Sequence, residues 1–113
     1  MRREERKYLH DMQQAAGLIA AFTQGKRFED YERDVFLRSA VERQFEIVGE
    51  ALSQLSKINE ALADRMSEHR RIIAFRNILA HGYTEVHHHV VWDVVENKLP
   101  ILRAELETLL AEA

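Results

Sequence analysis

The sequence predicts an all-α protein, an up-and-down bundle of four to five helices. Apolar residues recur at spacings of three and four along almost the whole chain, and no alternating run demands a strand. One proline and four glycines among 113 residues leave few turns, which favours long helices over many short strands. An apolar content of 46% against 31% charged residues is the balance of a globular protein, with one domain expected over 1–113.

The first helix is predicted over Tyr8 to Phe22, where Tyr8, Leu9, Met12, Ala16, Ile19 and Phe22 form one stripe. Arg2, Arg3, Arg6 and Lys7 before it read as a frayed charged end, and Gly25-Lys26-Arg27 reads as the first turn. A long second helix is predicted over Phe28 to Ser56 on the period of Phe28, Tyr31, Val35, Val41, Phe45, Val48, Leu52 and Leu55. Gly49 lies inside it, at a cost of about 1 kcal/mol relative to alanine, so another backbone is expected to pack closely there. Lys57 to Glu68 is polar, with a short helical turn around Asn59 to Met66. Ser67 is placed to cap a third helix that runs to His81 and stops at Gly82. A fourth helix carries Val86, Val90, Trp92 and Val94. Pro100 either fits the first turn of a last helix, with Ile101, Leu102, Leu106, Leu109 and Leu110, or kinks a continuous one.

Composition removes several function classes. The absence of cysteine excludes disulfides, thiol nucleophiles and thiolate metal sites together. A net charge of -3 means that a nucleic-acid ligand must meet a local basic patch. Met1 to His10 has no apolar core of a signal peptide and Ala15 to Phe22 is too short to cross a bilayer, so the cytoplasm is the expected location. The run His87-His88-His89 invites a metal reading, but successive helical residues point roughly 100° apart and adjacent imidazoles cannot converge on one ion. No metal and no cofactor is expected; these histidines are read as a weakly basic rim. Trp92, between apolar neighbours, is read as core.

The third helix is unusual. Its wheel sets Ile72, Ile73, Phe75, Arg76, Leu79 and Ala80 on one side and Arg70, Asn77 and His81 on the other. Arg76 therefore lies in an apolar stripe, where a guanidinium must meet a carboxylate, reach an interface or line a wet cleft. Glu46 and Glu50 on the second helix are candidate partners. Asn77 and His81 are four apart, so the amide is placed to orient the imidazole. Because this helix is apolar on nearly all sides, a two-fold dimer that includes it is expected. A plain structural reading also fits: a buried central helix with a paired arginine and a histidine against the helix dipole.

Arg76-Asn77-Ile78-Leu79-Ala80-His81-Gly82-Tyr83 reads R-N-x-x-x-H-G-Y. It resembles the R-x4-H-x-Y signature of the HEPN superfamily, specifically the HepT-like toxins paired with a minimal nucleotidyltransferase antitoxin. Val41-Glu42-Arg43 followed by Glu46-Ile47-Val48-Gly49-Glu50-Ala51 is similar to that family's second helix, and Val91-Trp92-Asp93 through Leu99-Pro100 to the segment after its motif. The resemblance implies an all-helical dimer whose two motifs face one cleft and which cleaves RNA without metal. It makes Arg76 and His81 the catalytic pair, Asn77 a supporting residue and Tyr83 the acceptor of AMP transferred by the antitoxin.

The residue types suit that chemistry. Cleavage needs a base for the 2'-hydroxyl, an acid for the leaving 5'-oxygen and a fixed cation for charge gathering on the phosphoryl oxygens. His69, Arg70 and Arg71, with Arg65, form a basic patch upstream of Arg76 that is read as an RNA contact. The expected function is thus the toxin component of a type II/VII-like toxin-antitoxin pair. The alternative is a non-catalytic HEPN-like helical module that binds nucleotide, RNA or a partner protein.

Overall fold

Among the described residues every regular element is a helix. The computed structural model describes residues 1–67, 69–80 and 86–113, apart from the side chains of Ala80, Val86 and His87. In chain order the elements are α1 (Arg3–Thr23), α2 (Phe28–Arg33), α3 (Val35–Ile58), α4 (Glu60–Ala63), α5 (His69–Ala80), α6 (Val86–Asp93), a π-helical turn (Val94–Lys98) and α7 (Leu99–Ala111). The longer rods are α1, α3, α5 and the run from α6 to α7, which agrees with the expected all-helical bundle. No described helix is long and apolar enough to cross a membrane.

The predicted long second helix is two helices. Asp34 ends α2 and caps α3, accepting from the backbone N–H groups of Phe36 at 3.0 Å and Leu37 at 3.2 Å. A short carboxylate that satisfies the first N–H groups of a helix competes with continuing the previous one, and the apolar period cannot reveal it. One consequence is that Val35, one of the residues on the expected helical period, is exposed, and Phe36 is 84% exposed. Gly25 takes a left-handed φ of 73° in the α1–α2 turn, a conformation that suits glycine. Asn59 ends α3 and caps α4 through the Leu62 N–H at 3.0 Å.

The amino terminus is not frayed at Arg2. Its Nε donates to Glu5 at 2.7 Å, and its Nη2 donates at 2.9 Å to the Ile58 carbonyl, one of those left open at the end of α3. Asn59 Nδ2 also donates to Glu5, at 3.3 Å. Arg3 and Arg6 stay exposed, and Lys7 pairs with Asp11 on the surface.

One core joins the elements. Leu9, Met12 and Ile19 of α1 meet Val41, Val48, Leu52 and Leu55 of α3, with Val91, Val95, Leu99 and Leu106 from the carboxyl-terminal run. α3 is the central rod, since α1, α2, α4 and α5 all pack on it. Tyr31 brings α2 into the core, fully buried, with its hydroxyl donating to Glu42 at 2.8 Å and its ring 5.5 Å from that of Trp92. Both readings of Pro100 hold in part. It lies in the first turn of α7, and just before it the Leu99 N–H bonds to the Val94 carbonyl in the wide π pattern. That extra residue in the turn is a usual adjustment where proline cannot donate.

Candidate active site

Gly49 is buried in α3 and faces Arg76 of α5. A Cβ built at Gly49 would lie 2.5 Å from Arg76 Cβ, a separation real Cβ atoms essentially never show, and 3.1 Å from its Cγ. The glycine therefore makes room for the stem of Arg76; the expected close approach is by a side chain and not by backbone. Phe75 and Leu79, both buried, seat the same side of α5, with the Phe75 ring edge-on to Phe45 at 5.4 Å.

This seating carries the guanidinium to the rim of the helix pair, where its side chain is 29% exposed. Nη1 donates to Glu50 Oε2, and Nη2 donates to the Asn77 side-chain oxygen at 3.0 Å. Nε is buried and has no hydrogen-bond partner among the described residues. Glu50 is itself held by Gln54, whose amide donates to Oε1 at 3.0 Å. The Gln54 amide and then the Arg76 guanidinium hold the Glu50 carboxyl below the usual carboxylate range, against partial burial acting the other way. Of the two expected carboxylates, only Glu50 meets Arg76 in the described contacts; Glu46 lies 3.9 Å from Arg43. Asn77 spends its oxygen on Arg76, a role its spacing to His81 did not suggest. Gln54 was not singled out from the sequence, although its i,i+4 spacing from Glu50 carried the signal.

The expected basic patch is largely engaged within the chain. Arg65 makes two hydrogen bonds to the Glu112 carboxylate, at 2.7 and 2.6 Å. His69 Nε2 lies 3.0 Å from Asp64, and Arg70, its side chain 81% exposed, is 3.8 Å from Glu60. Ser67, expected as a helix cap, donates both its N–H and its hydroxyl to Glu105 of α7. Arg71 lines a groove of about 340 Å³ between α5 and the carboxyl-terminal run. The groove is apolar, with Ala74 and Ile78 of α5 facing Val90 and Ile101, and those four residues are exposed. Ala74 and Ile78 lie about 160° around the helix from Arg76, on its opposite side. α5 is thus not buried on both flanks within one chain, and Arg76 needs no second chain to find a carboxylate.

His81 and Tyr83 lie outside the described residues, as does the side chain of His87. His89 stacks on Phe28 with ring centroids 4.0 Å apart, and His88 meets Tyr31 edge-on at 5.8 Å. These two histidines pack α6 onto α2, with His88 half-buried and His89 exposed. Trp92 is core, as expected. Among the described residues no group of three or more metal-ligating side chains converges.

Comparison with known proteins points to one family. Residues 12–109 match the model of a family described as ribonuclease HepT-like. The chain is 33% identical over 109 residues to a probable ribonuclease HepT of Thermococcus cleftensis, covering 96% of this chain and 98% of that one. It is 28% identical to a candidate RNase of Caldanaerobacter subterraneus subsp. tengcongensis, covering 93% of each. A gamma-glutamylcyclotransferase and candidate RNase of Methanocaldococcus jannaschii is 30% identical over 99% of this chain, which spans 50% of that longer protein. No solved structure matches the chain at a significant level.

Proposed function

The chain belongs to the ribonuclease HepT-like family, and from that premise we propose that it is an endoribonuclease whose Arg76 and His81 act together on a phosphodiester at a dimer cleft. The observation that carries this reading is the state of Arg76: stem packed on Gly49, guanidinium held from two sides by Glu50 and Asn77, and its end still reaching the surface. A cation fixed in that way is suited to charge gathering on phosphoryl oxygens and loses little freedom when it binds.

His81, four residues beyond Asn77, is the proton-transfer group. The 2'-oxygen attacks phosphorus as its proton leaves, the bond to the 5'-oxygen breaks, and that oxygen takes up a proton; the products are a cyclic phosphate and a free 5'-hydroxyl. Two copies of His81 across a dimer supply base and acid, with no metal taking part. Arg70 and Arg71, both exposed, with His69 at the start of the helix, contact the flanking RNA. The protein acts in the cytoplasm as the toxin of a toxin-antitoxin pair, and a minimal nucleotidyltransferase restrains it by AMP transfer to Tyr83.

The test is cleavage of RNA by purified protein. His81→Ala is expected to slow it by about 10²- to 10⁴-fold, the usual worth of a proton-transfer group, while the helical content stays that of the parent. Parent-like cleavage by that variant, or loss of all cleavage in EDTA, would overturn the assignment. A second reading, a helical module that binds without cutting, draws on the pairing of Arg65 with Glu112 and His69 with Asp64, which leaves less free positive charge for RNA. Binding of RNA unchanged by His81→Ala, with no cleavage by the parent, would favour it.

A further inference from the structure

A guanidinium has five N–H groups, one on Nε and two on each terminal nitrogen. In Arg76 the Nε group is buried, so a phosphate cannot use the side of the fork that includes it. One N–H of Nη1 is given to Glu50 and one of Nη2 to Asn77. Each terminal nitrogen keeps one further N–H, and with the Nε side closed these two are what the guanidinium can still offer a phosphate. We propose that Glu50 is a positioning residue for RNA cleavage: from α3 it holds one terminal nitrogen of the Arg76 guanidinium while Asn77 holds the other, so that the remaining N–H of each is fixed to receive the scissile phosphate.

The Glu50 side chain is 52% exposed, so the pair adds little to stability, and two observations separate it from an ordinary surface ion pair. Glu50 is not loose, because Gln54, one turn further along α3, fixes its other oxygen. Gly49, the residue just before it, lets α5 approach closely enough for the stem of Arg76 to lie against α3. A carboxylate beside a phosphate site also opposes ground-state binding of an anion. Its benefit must therefore appear in the orientation of the cation and not in affinity.

This inference rests on the ribonuclease reading, and its test separates the two. Steady-state cleavage is measured for the parent, Glu50→Ala and Glu50→Gln, together with the ¹⁵N-detected Nη signals of Arg76, which report rotation of the guanidinium without any RNA. Glu50→Ala is expected to lower kcat by roughly 10- to 100-fold, the scale of a misplaced catalytic group, while KM stays level or falls. Glu50→Gln keeps an acceptor oxygen and is expected to restore most of the kcat with a lower KM. The Arg76 Nη signals should show hindered rotation in the parent and in Glu50→Gln, and free rotation in Glu50→Ala. Parent-like kcat in Glu50→Ala, a Glu50→Gln protein as slow as Glu50→Ala, or Nη signals indifferent to residue 50 would each overturn the proposal. If the parent cuts no RNA but the Nη signals respond as described, the positioning contact stands and the ribonuclease reading falls.

Discussion

Glu5 shows how a single side chain can couple two ends of a fold. With 4% of its surface exposed, it is reached by Arg2 and by Asn59, and the Arg2 hydrogen bond, more than that of Asn59, holds its carboxyl below the usual carboxylate range. Its folded value is depressed, so the contribution to stability is complete above the ordinary carboxylate pKa of about 4.3 and is lost as pH falls through the lower folded value. Thermal midpoints recorded from pH 6 down to pH 2 should therefore fall less steeply in Glu5→Gln than in the parent across the acid range; identical profiles would show that this carboxylate is not coupled to folding. Tyr83 is the residue where regulation is expected. Gly82 beside it removes side-chain bulk, and an added phosphodiester and adenosine would oppose substrate phosphate by charge and by volume. Co-expression with the candidate nucleotidyltransferase should add mass in AMP units that disappears in Tyr83→Phe. A restrained but unmodified protein would show that the partner acts by binding alone.

At the scale of elements, the contact between α3 and α5 decides where the cation sits. Alanine at position 49 would improve helix propensity by about 1 kcal/mol but must displace the Cβ of Arg76, and overpacking of this kind costs about 1–3 kcal/mol. The obstructing atom is next to the backbone, so rotation of a flexible tip cannot relieve it. Gly49→Ala is accordingly expected to lower the denaturation midpoint and to slow RNA cleavage, because α5 must move away from Glu50. A variant more stable than the parent and equally active would mean that the two helices can separate without moving the guanidinium. The break at Asp34 and the π turn before Pro100 belong to the same scale. In both, a backbone group is satisfied locally by an alternative to the α pattern, and the apolar stripe passes across the irregularity.

For the whole molecule, the uncovered apolar side of α5 is the feature that one chain leaves incomplete. Ile78 is 43% exposed, Val90 44% and Ile101 50%, and they border one groove with Ala74. Covering them with a second copy would remove that surface from water at about 25 cal/mol per Å². Light scattering at micromolar concentration is expected to report a dimer, and Ile78→Glu is expected to shift it to monomer and to reduce cleavage with it. A parent that is monomeric, or a fully active Ile78→Glu monomer, would remove the dimer from the mechanism.

The helical class, the positions of α1, α5 and the carboxyl-terminal run, the core role of Trp92 and the exceptional status of Arg76 were legible from residue order. Each depends on local spacing: a period of three and four, glycine at a turn, or a cation inside an apolar stripe. Which carboxylate holds Arg76 was not legible, since Glu46 and Glu50 share a helix face and only the approach of α5 over Gly49 selects Glu50. The fate of His69 and Arg65 was equally hidden, because their partners Asp64 and Glu112 are chosen by how the α4–α5 segment meets its neighbours. The packing of His89 on Phe28 and of His88 on Tyr31 was hidden too, because it required α2 and α6 to be brought side by side. Periodicity reports which side of a helix is apolar; what that side meets is decided by packing between segments far apart in the chain, on which spacing within one segment carries no information.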